Sequence, residues 1–225
     1  MSQFKMMFLL TSYKTFVFLN LVFNFYIMKY FFLILILLLA INTKAQGNQA
    51  NIGIKGGFNF STFAGADGLD VSRRISFNAG LMLESKLSNS ISLQPEVVFS
   101  SQGSKVNFGS EAIENRLDYL NLPILLRFYV SDGFSFDVGP QLGILVSAKQ
   151  GSSSRKDIDI KSNYSGTDIG LATGINYKFV SGFNLSARYN FGLKNIINTN
   201  IYTSSDTIKN GVFQISIGYY FKNKN

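Results

Sequence analysis

The feature that most constrains this chain is a series of eight segments in which apolar and polar residues alternate. A period of two is typical of strands whose two faces meet different environments. Each segment has at least the roughly 9–11 residues that a tilted strand needs to cross a bilayer. The segments are 51–60, 76–87, 91–102, 117–130, 134–147, 168–179, 183–193 and 211–221.

The connections between these segments alternate between long and short. Short links occupy 88–90, 131–133 and 180–182, and most are rich in the Ser, Asn, Asp and Gly that suit tight turns. Short turns on one side of a membrane and long loops on the other are typical of outer-membrane barrels. We therefore predict an all-β fold, an eight-stranded antiparallel transmembrane β-barrel with four long surface loops. These loops are the polar stretches 61–75, 103–116, 148–167 and 194–210.

Aromatic residues lie near the ends of the apolar faces. Examples are Phe58, Phe99, Phe128, Tyr177 and Tyr219. Such residues form girdles at the two membrane interfaces. The pattern predicts contact with outer-membrane lipid and a location in the outer membrane of a Gram-negative cell.

The N-terminal region has the organisation of a secretory signal peptide. A basic start at Met28-Lys29-Tyr30 precedes an apolar run over 31–41 and small residues before a cleavage site at Ala45. We predict an upstream extension or mis-assigned start over 1–27, a signal peptide over 28–45 and a barrel domain over 46–225. The alternative is that the apolar run over 16–26 is a real helix, within a helical hairpin or a long uncleaved anchor.

The polar faces of the predicted strands carry five basic and four acidic residues. Because a buried charge must be paired, this near-balance predicts a network of ion pairs filling the barrel interior. For Glu84 and Glu96, with Lys86 nearby, a general acid/base pair is the alternative. The predicted network consists of Lys55, Glu84, Lys86, Glu96, Arg127, Asp137, Asp168, Lys178 and Arg188.

Alternation alone does not say which face points inward, so a soluble lipocalin-like ligand-binding barrel is the alternative fold. Its apolar residues would line a cavity and its polar residues would meet water. The polar set here is largely Gly, Ser, Asn and Gln with few charges, which is sparse for a solvated surface. This composition favours the membrane barrel.

Several functional classes lack support in the sequence. The chain has no histidine and no cysteine, which removes Ser-His and Cys-His nucleophiles and the common zinc sites. We predict no enzymatic activity, no metal and no cofactor. The basic residues are scattered, and part of the net charge of +8 belongs to residues 1–45, so nucleic-acid binding is not expected. An eight-stranded barrel is filled by its own side chains, which argues against a solute pore.

One strand resembles a known family. The stretch from Tyr119 and Leu120 through Pro123 to Arg127 is similar to the "YLxIPLLLKY" strand of PorT-like outer-membrane β-barrel proteins of Bacteroidetes. Within it, the sequence has Leu where the family usually has Ile, and Asn where it usually has Glu.

Two further stretches carry the same resemblance. Gly139 and Pro140 lie in a segment similar to that family's next strand, and the opening stretch 52–59 is similar to its first. The likeness covers residues 46–225, and it implies the barrel fold and the outer membrane.

The resemblance also adds one functional expectation. The founding member of that family is associated with secretion of proteins across the outer membrane, so an accessory role in secretion or transport is the alternative function. The first expectation is a structural or surface role, with a protein partner contacted through the long loops.

Overall fold

The computed structural model describes residues 50–65, 70–108, 111–152, 154, 156–198 and 207–221. The predicted extension over 1–27 and the predicted signal peptide over 28–45 lie outside these residues. Within them, no helix is long and apolar enough to cross a membrane.

Strands account for most of the described chain. A single 3-10 turn, Lys161–Asn163, follows the two-residue strand β6. The strands are β1 (Asn51–Ala64), β2 (Val71–Lys86), β3 (Ile91–Phe108), β4 (Glu111–Tyr129), β5 (Phe134–Gly151), β6 (Ile158–Asp159), β7 (Thr167–Lys178), β8 (Phe183–Gly192) and β9 (Lys209–Tyr220).

Eight of these strands close into a ring. The order is β4-β3-β2-β1-β9-β8-β7-β5, and β5 returns to pair with β4. Every pairing is antiparallel, and β1 joins β9 from Gly53↔Tyr220 to Ala64↔Lys209. Closure satisfies the backbone hydrogen bonds that an edge strand would leave open in lipid. The prediction of an eight-stranded antiparallel barrel is confirmed.

The two faces of the barrel differ as the alternation predicts. Apolar side chains such as Ile54, Phe77 and Ile215 are 47%, 54% and 49% exposed on the outer surface. Polar residues such as Asn59 and Asn78 are buried inside. A lipocalin-like barrel would show the opposite facing, so that alternative fold is wrong.

The structure corrects the predictions of long loops over residues 61–75 and 103–116. β1 extends to Ala64 and β2 begins at Val71, so most of 61–75 is strand. β3 and β4 continue as a paired hairpin as far as Phe108↔Glu111. Ser104 and Asn115 are polar but buried, and they lie opposite each other in this extended part of the hairpin. Polar residues of this kind are typical of a loop, although the backbone here forms a strand.

Gly103 allows β3 to continue through this region. Its φ of +121° is a conformation that residues with a side chain rarely adopt. The carbonyl oxygen of Asn115 on β4 also lies so close that it excludes a Cβ atom. Glycine is therefore required at this position of the hairpin.

Part of the loop end of the interior is apolar, which differs from the predicted polar filling. Five buried residues of β4, β5 and the segment after β6 pack together there, and one side chain of β1 and one of the same segment pack against them. The segment following β5 therefore covers the loop end of the barrel. We call this group the loop-end cluster: Leu117, Tyr119, Leu145, Ala148, Ile160, Phe63 and Tyr164.

Candidate functional site: the charged interior

Glu96 of β3 lies at the centre of the charged interior. Arg188 Nη1 donates to Glu96 Oε2 at 2.8 Å, and Arg188 Nη2 donates to Oε1 at 2.9 Å. Lys55 Nζ donates to the same carboxylate at 3.2 Å, and Gln94 Nε2 donates to it at 2.5 Å. All four residues are buried. Three charged groups and one amide thus share one site, where each charge has an opposite partner.

A second pair continues from this site towards the short-turn end. Arg127 Nε and Nη2 donate to the two carboxylate oxygens of Asp137 at 2.8 and 2.9 Å. Arg188 Nη2 is 3.7 Å from Asp137 Oδ2, which connects the two groups. Arg127 Nη1 also donates to the Tyr220 hydroxyl at 3.0 Å, and that hydroxyl donates to Gln94 Oε1 at 2.7 Å. The guanidinium of Arg127 is thereby held by a bidentate carboxylate on one side and a phenol on the other.

The third part of the site lies near the short-turn rim. Lys178 Nζ donates to Glu84 Oε2 at 2.5 Å, and the Tyr129 hydroxyl donates to Glu84 Oε1. Lys178 Nζ also lies 4.2 Å from the centroid of the Tyr220 ring, a cation–π contact. Tyr220 therefore links the rim to the Arg127 group.

These contacts form one connected set, to which each of the eight barrel strands contributes. Loss of one charged member leaves a partner charge buried without its counter-ion, which is strongly destabilising. We call the set the lumen network: Lys55 of β1, Glu84 of β2, Gln94 and Glu96 of β3, Arg127 and Tyr129 of β4, Asp137 of β5, Lys178 of β7, Arg188 of β8 and Tyr220 of β9.

Two of the nine predicted residues lie apart from the lumen network. Lys86, the last residue of β2, is exposed at the short-turn rim. Asp168, the second residue of β7, lies towards the loop end, where it accepts a hydrogen bond from Asn210 Nδ2 at 2.8 Å. The other seven predicted residues lie together. Lys86 differs because the strand ends there, so its side chain reaches past the packed interior.

Three members of the network were not predicted from the sequence: Gln94, Tyr129 and Tyr220. Aromatic residues near strand ends are predicted to lie in the membrane girdles, as Tyr219 is. Tyr220 alternates with Tyr219, so a strict period of two places its side chain inside the barrel.

A layer of amides separates the lumen network from the loop-end cluster. Asn59 Oδ1 accepts hydrogen bonds from Asn78 Nδ2 at 2.8 Å and from Gln214 Nε2 at 2.9 Å. Along β1 the order is Lys55 in the network, Asn59 in the amide layer and Phe63 in the loop-end cluster. The described interior thus contains three layers of different chemistry, and towards the loop end it also holds the ion pair between Arg74 and Glu114.

The two carboxylates considered as an acid/base pair have separate partners. Glu84 contacts Lys178 and Tyr129, whereas Glu96 contacts Arg188. Within the described part of the chain, no group of three acidic, histidine or cysteine residues is arranged to hold a metal ion. The arrangement is suited to charge compensation. The prediction of no enzymatic activity stays a prediction.

The motif residues of β4 occupy both faces of the strand. Tyr119 is buried in the loop-end cluster, and Arg127 belongs to the lumen network. Leu120 is only partly buried, whereas Pro123 pairs with β5. The motif therefore contributes to two of the three interior layers.

The motif residues of β5 lie beside β4. At Gly139 the backbone of β4 approaches so closely that a side chain would meet the carbonyl oxygen of Ile124. The adjacent Pro140 is exposed on the outer surface. Glycine is needed here for the close approach of two strands in a narrow barrel.

Comparison with known families gives a match over residues 44–198, to the outer membrane protein beta-barrel domain. The chain belongs to this family. The match runs from β1 through β8, and together with the closed ring it gives this barrel an outer-membrane location. Comparison with curated protein sequences gives no match.

Solved structures of outer-membrane barrels resemble this chain at low sequence identity. Neisserial surface protein A is 12% identical, with a TM-score of 0.50, over 77% of this chain and 99% of that one. Ail of Yersinia pestis, solved with the heparin analogue sucrose octasulfate, is 18% identical with a TM-score of 0.48, at 77% and 99% coverage. Outer membrane protein W of E. coli is 13% identical with a TM-score of 0.37, at 78% and 100% coverage. At 12% identity, the likeness to Neisserial surface protein A concerns the fold alone.

Proposed function

We propose that this outer-membrane barrel is a closed scaffold that presents its loops at the cell surface, rather than a pore. The observation that carries the proposal is the filled interior. The lumen network, the amide layer and the loop-end cluster follow one another along the barrel, and their side chains are mostly buried. A barrel of eight strands has little further room.

The connection between β5 and β7 supports a contact role. Arg116 of β4 forms an ion pair with Asp157, and Ile160 is buried in the loop-end cluster. Ile158, two residues earlier, is 56% exposed. The loop is therefore held on a rigid base while it exposes an apolar side chain, an arrangement suited to binding.

Because the chain contains no cysteine, a single introduced cysteine is its only reactive thiol. Crosslinking through that thiol therefore tests the surface role at a chosen position. The variant Ile158→Cys is treated on intact cells with a membrane-impermeant crosslinker that bonds to the new thiol at one end and to lysine amines of a neighbouring protein at the other. We expect a discrete crosslinked product. Val180→Cys, in a short turn and 99% exposed, is the matched control and should give none, because that turn faces the periplasm. Absence of a discrete product at Ile158→Cys would contradict the proposed contact role.

Planar-bilayer recordings test the closed interior. We expect no steady conductance from the folded chain, since its side chains fill the lumen. A porin inserted in the same bilayer serves as the positive control. A large, stable open channel would contradict the closed interior and favour a pore function.

We propose as a second candidate an accessory role in protein secretion, within the PorT-like branch of Bacteroidetes barrels. The motif around Tyr119 and Arg127 supports it, as does an open basin of about 540 Å³ at the short-turn end. Lys86, which is exposed at the rim, lines this basin and is suited to contact an acidic periplasmic segment. Deletion of the gene should then lower the amount of secreted protein in the medium. Unchanged secretion would leave only the surface role.

We also propose that the chain is not an enzyme. Glu84 compensates Lys178 and Glu96 compensates the buried Arg188, and the sequence has no histidine or cysteine to act as a base or nucleophile. Hydrolysis assays on purified folded barrel with lipid and peptide substrates test this. Turnover that disappears in a Glu96→Gln variant would contradict it.

A further inference from the structure

A groove lies on the outer surface of the barrel, near the loop ends of β8, β9, β1 and β2. It has a volume of about 440 Å³. Phe213 of β9 faces both Phe60 of β1 and Tyr189 of β8, and Gly211 faces Thr62 across the β1–β9 pair. The groove exists because Gly211 and Thr62 leave room beside three aromatic rings.

The groove is apolar on one side and cationic on the other. Arg73 is exposed at its rim, and no carboxylate among the described residues forms an ion pair with it. Lys209 lies two residues before Gly211, so the alternation of β9 places it on the same outward face. Both cations lie nearer the loops than Phe60 and Phe213 do.

This order matches the order of chemical groups in a lipid of the outer leaflet. Acyl chains lie towards the bilayer centre, and the headgroup lies at the interface where Arg73 and Lys209 are found. A guanidinium fork fits phosphate oxygens, and cations near a membrane surface attract anionic headgroups. We infer that this groove binds an outer-leaflet lipid with a phosphorylated headgroup, its chain against Phe60 and Phe213 and its phosphate beside Arg73 and Lys209.

Native mass spectrometry of the folded barrel in detergent tests the inference. The probes are lipid A with its phosphates and the same lipid after dephosphorylation. We expect one retained lipid A per barrel and weaker retention of the dephosphorylated form. Arg73→Gln and Lys209→Gln should each weaken retention about fivefold, as expected for one charge at a membrane surface. Lys149→Gln, an exposed lysine of β5 near its loop end, is the matched control and should change little.

Thr62→Phe tests the apolar part, because a ring at this position fills the space beside Gly211. We expect it to displace the lipid while the heat-dependent gel shift of the folded barrel is retained. Equal retention of both lipid forms, or retention unchanged in Arg73→Gln and Lys209→Gln, would overturn the inference. A lipid-free dimer abolished by Thr62→Phe would also overturn it, because the groove would then be an interface between copies. If Thr62→Phe does not fold, lipid retention by Arg73→Gln and Lys209→Gln tests the inference.

Discussion

Arg188 donates two parallel hydrogen bonds to Glu96 across the interior of the barrel, from β8 to β3. Lys55 shares the same carboxylate at 3.2 Å, so Glu96 compensates two buried cations at once. The stability of the barrel should therefore depend more on this one acidic group than on any exposed charge.

Replacing Glu96 by glutamine should lower the free energy of unfolding by about 3–5 kcal/mol, because Arg188 and Lys55 lose their shared counter-ion. Urea titration of the barrel in vesicles, followed by the gel shift of unheated samples, measures this. Asp132→Asn, in an exposed short turn, is the control and should change stability by less than about 0.5 kcal/mol. Equal effects of the two variants would contradict the role of the lumen network.

Arginine on the lipid-facing surface should impair folding into vesicles. Ile144→Arg and Ile215→Arg, in the middle of their strands, should each cost about 2–4 kcal/mol, whereas Leu83→Arg, near the short-turn end of β2, should cost less because the penalty falls towards the interface. Ile158→Arg makes the same chemical change in the exposed loop and should fold like the unmodified chain. The folded fraction of each variant is measured on unheated gels. Similar folded fractions for all four variants would contradict the assignment of these apolar residues to the lipid-facing surface.

The loop-end cluster should hold the connection between β5 and β7 in place. Ile160→Ala removes a buried side chain, whereas Ile158→Ala removes an exposed one. We expect faster trypsin cleavage at Lys156 or Lys161 only in Ile160→Ala, with the barrel itself intact on unheated gels, because large-to-small changes in packed clusters cost about 2–5 kcal/mol. Identical cleavage rates in the two variants would show that Ile160 does not anchor the loop.

The mature protein should begin at Gln46, because Ala45 ends the only well-formed cleavage site of the N-terminal region. Mass spectrometry of the protein purified from outer membranes gives the N-terminus. Recovery of peptides from residues 1–27 in that fraction would favour the uncleaved anchor instead.

The strands and their facing could be predicted because the period of two is a local property of the sequence. Residues 103–116 could not be assigned correctly by that reasoning, since buried polar residues such as Ser104 and Asn115 resemble the residues of a loop. Which charged residues pair with each other could not be predicted from the sequence pattern either. Arg188 and Glu96 are 92 residues apart, and only ring closure decides which cation meets which carboxylate.

Tyr220 makes the stability of the barrel depend on the register in which β9 pairs with β1. It lies on the last strand, opposite Gly53 on the first, and its hydroxyl joins Arg127 to Gln94. A slip of one residue at this seam would turn Tyr220 towards lipid, because the faces of a strand alternate. Arg127 would then lose an acceptor and Gln94 a donor inside the barrel. A barrel closed out of register at the β1–β9 pair is thus less stable than the native one.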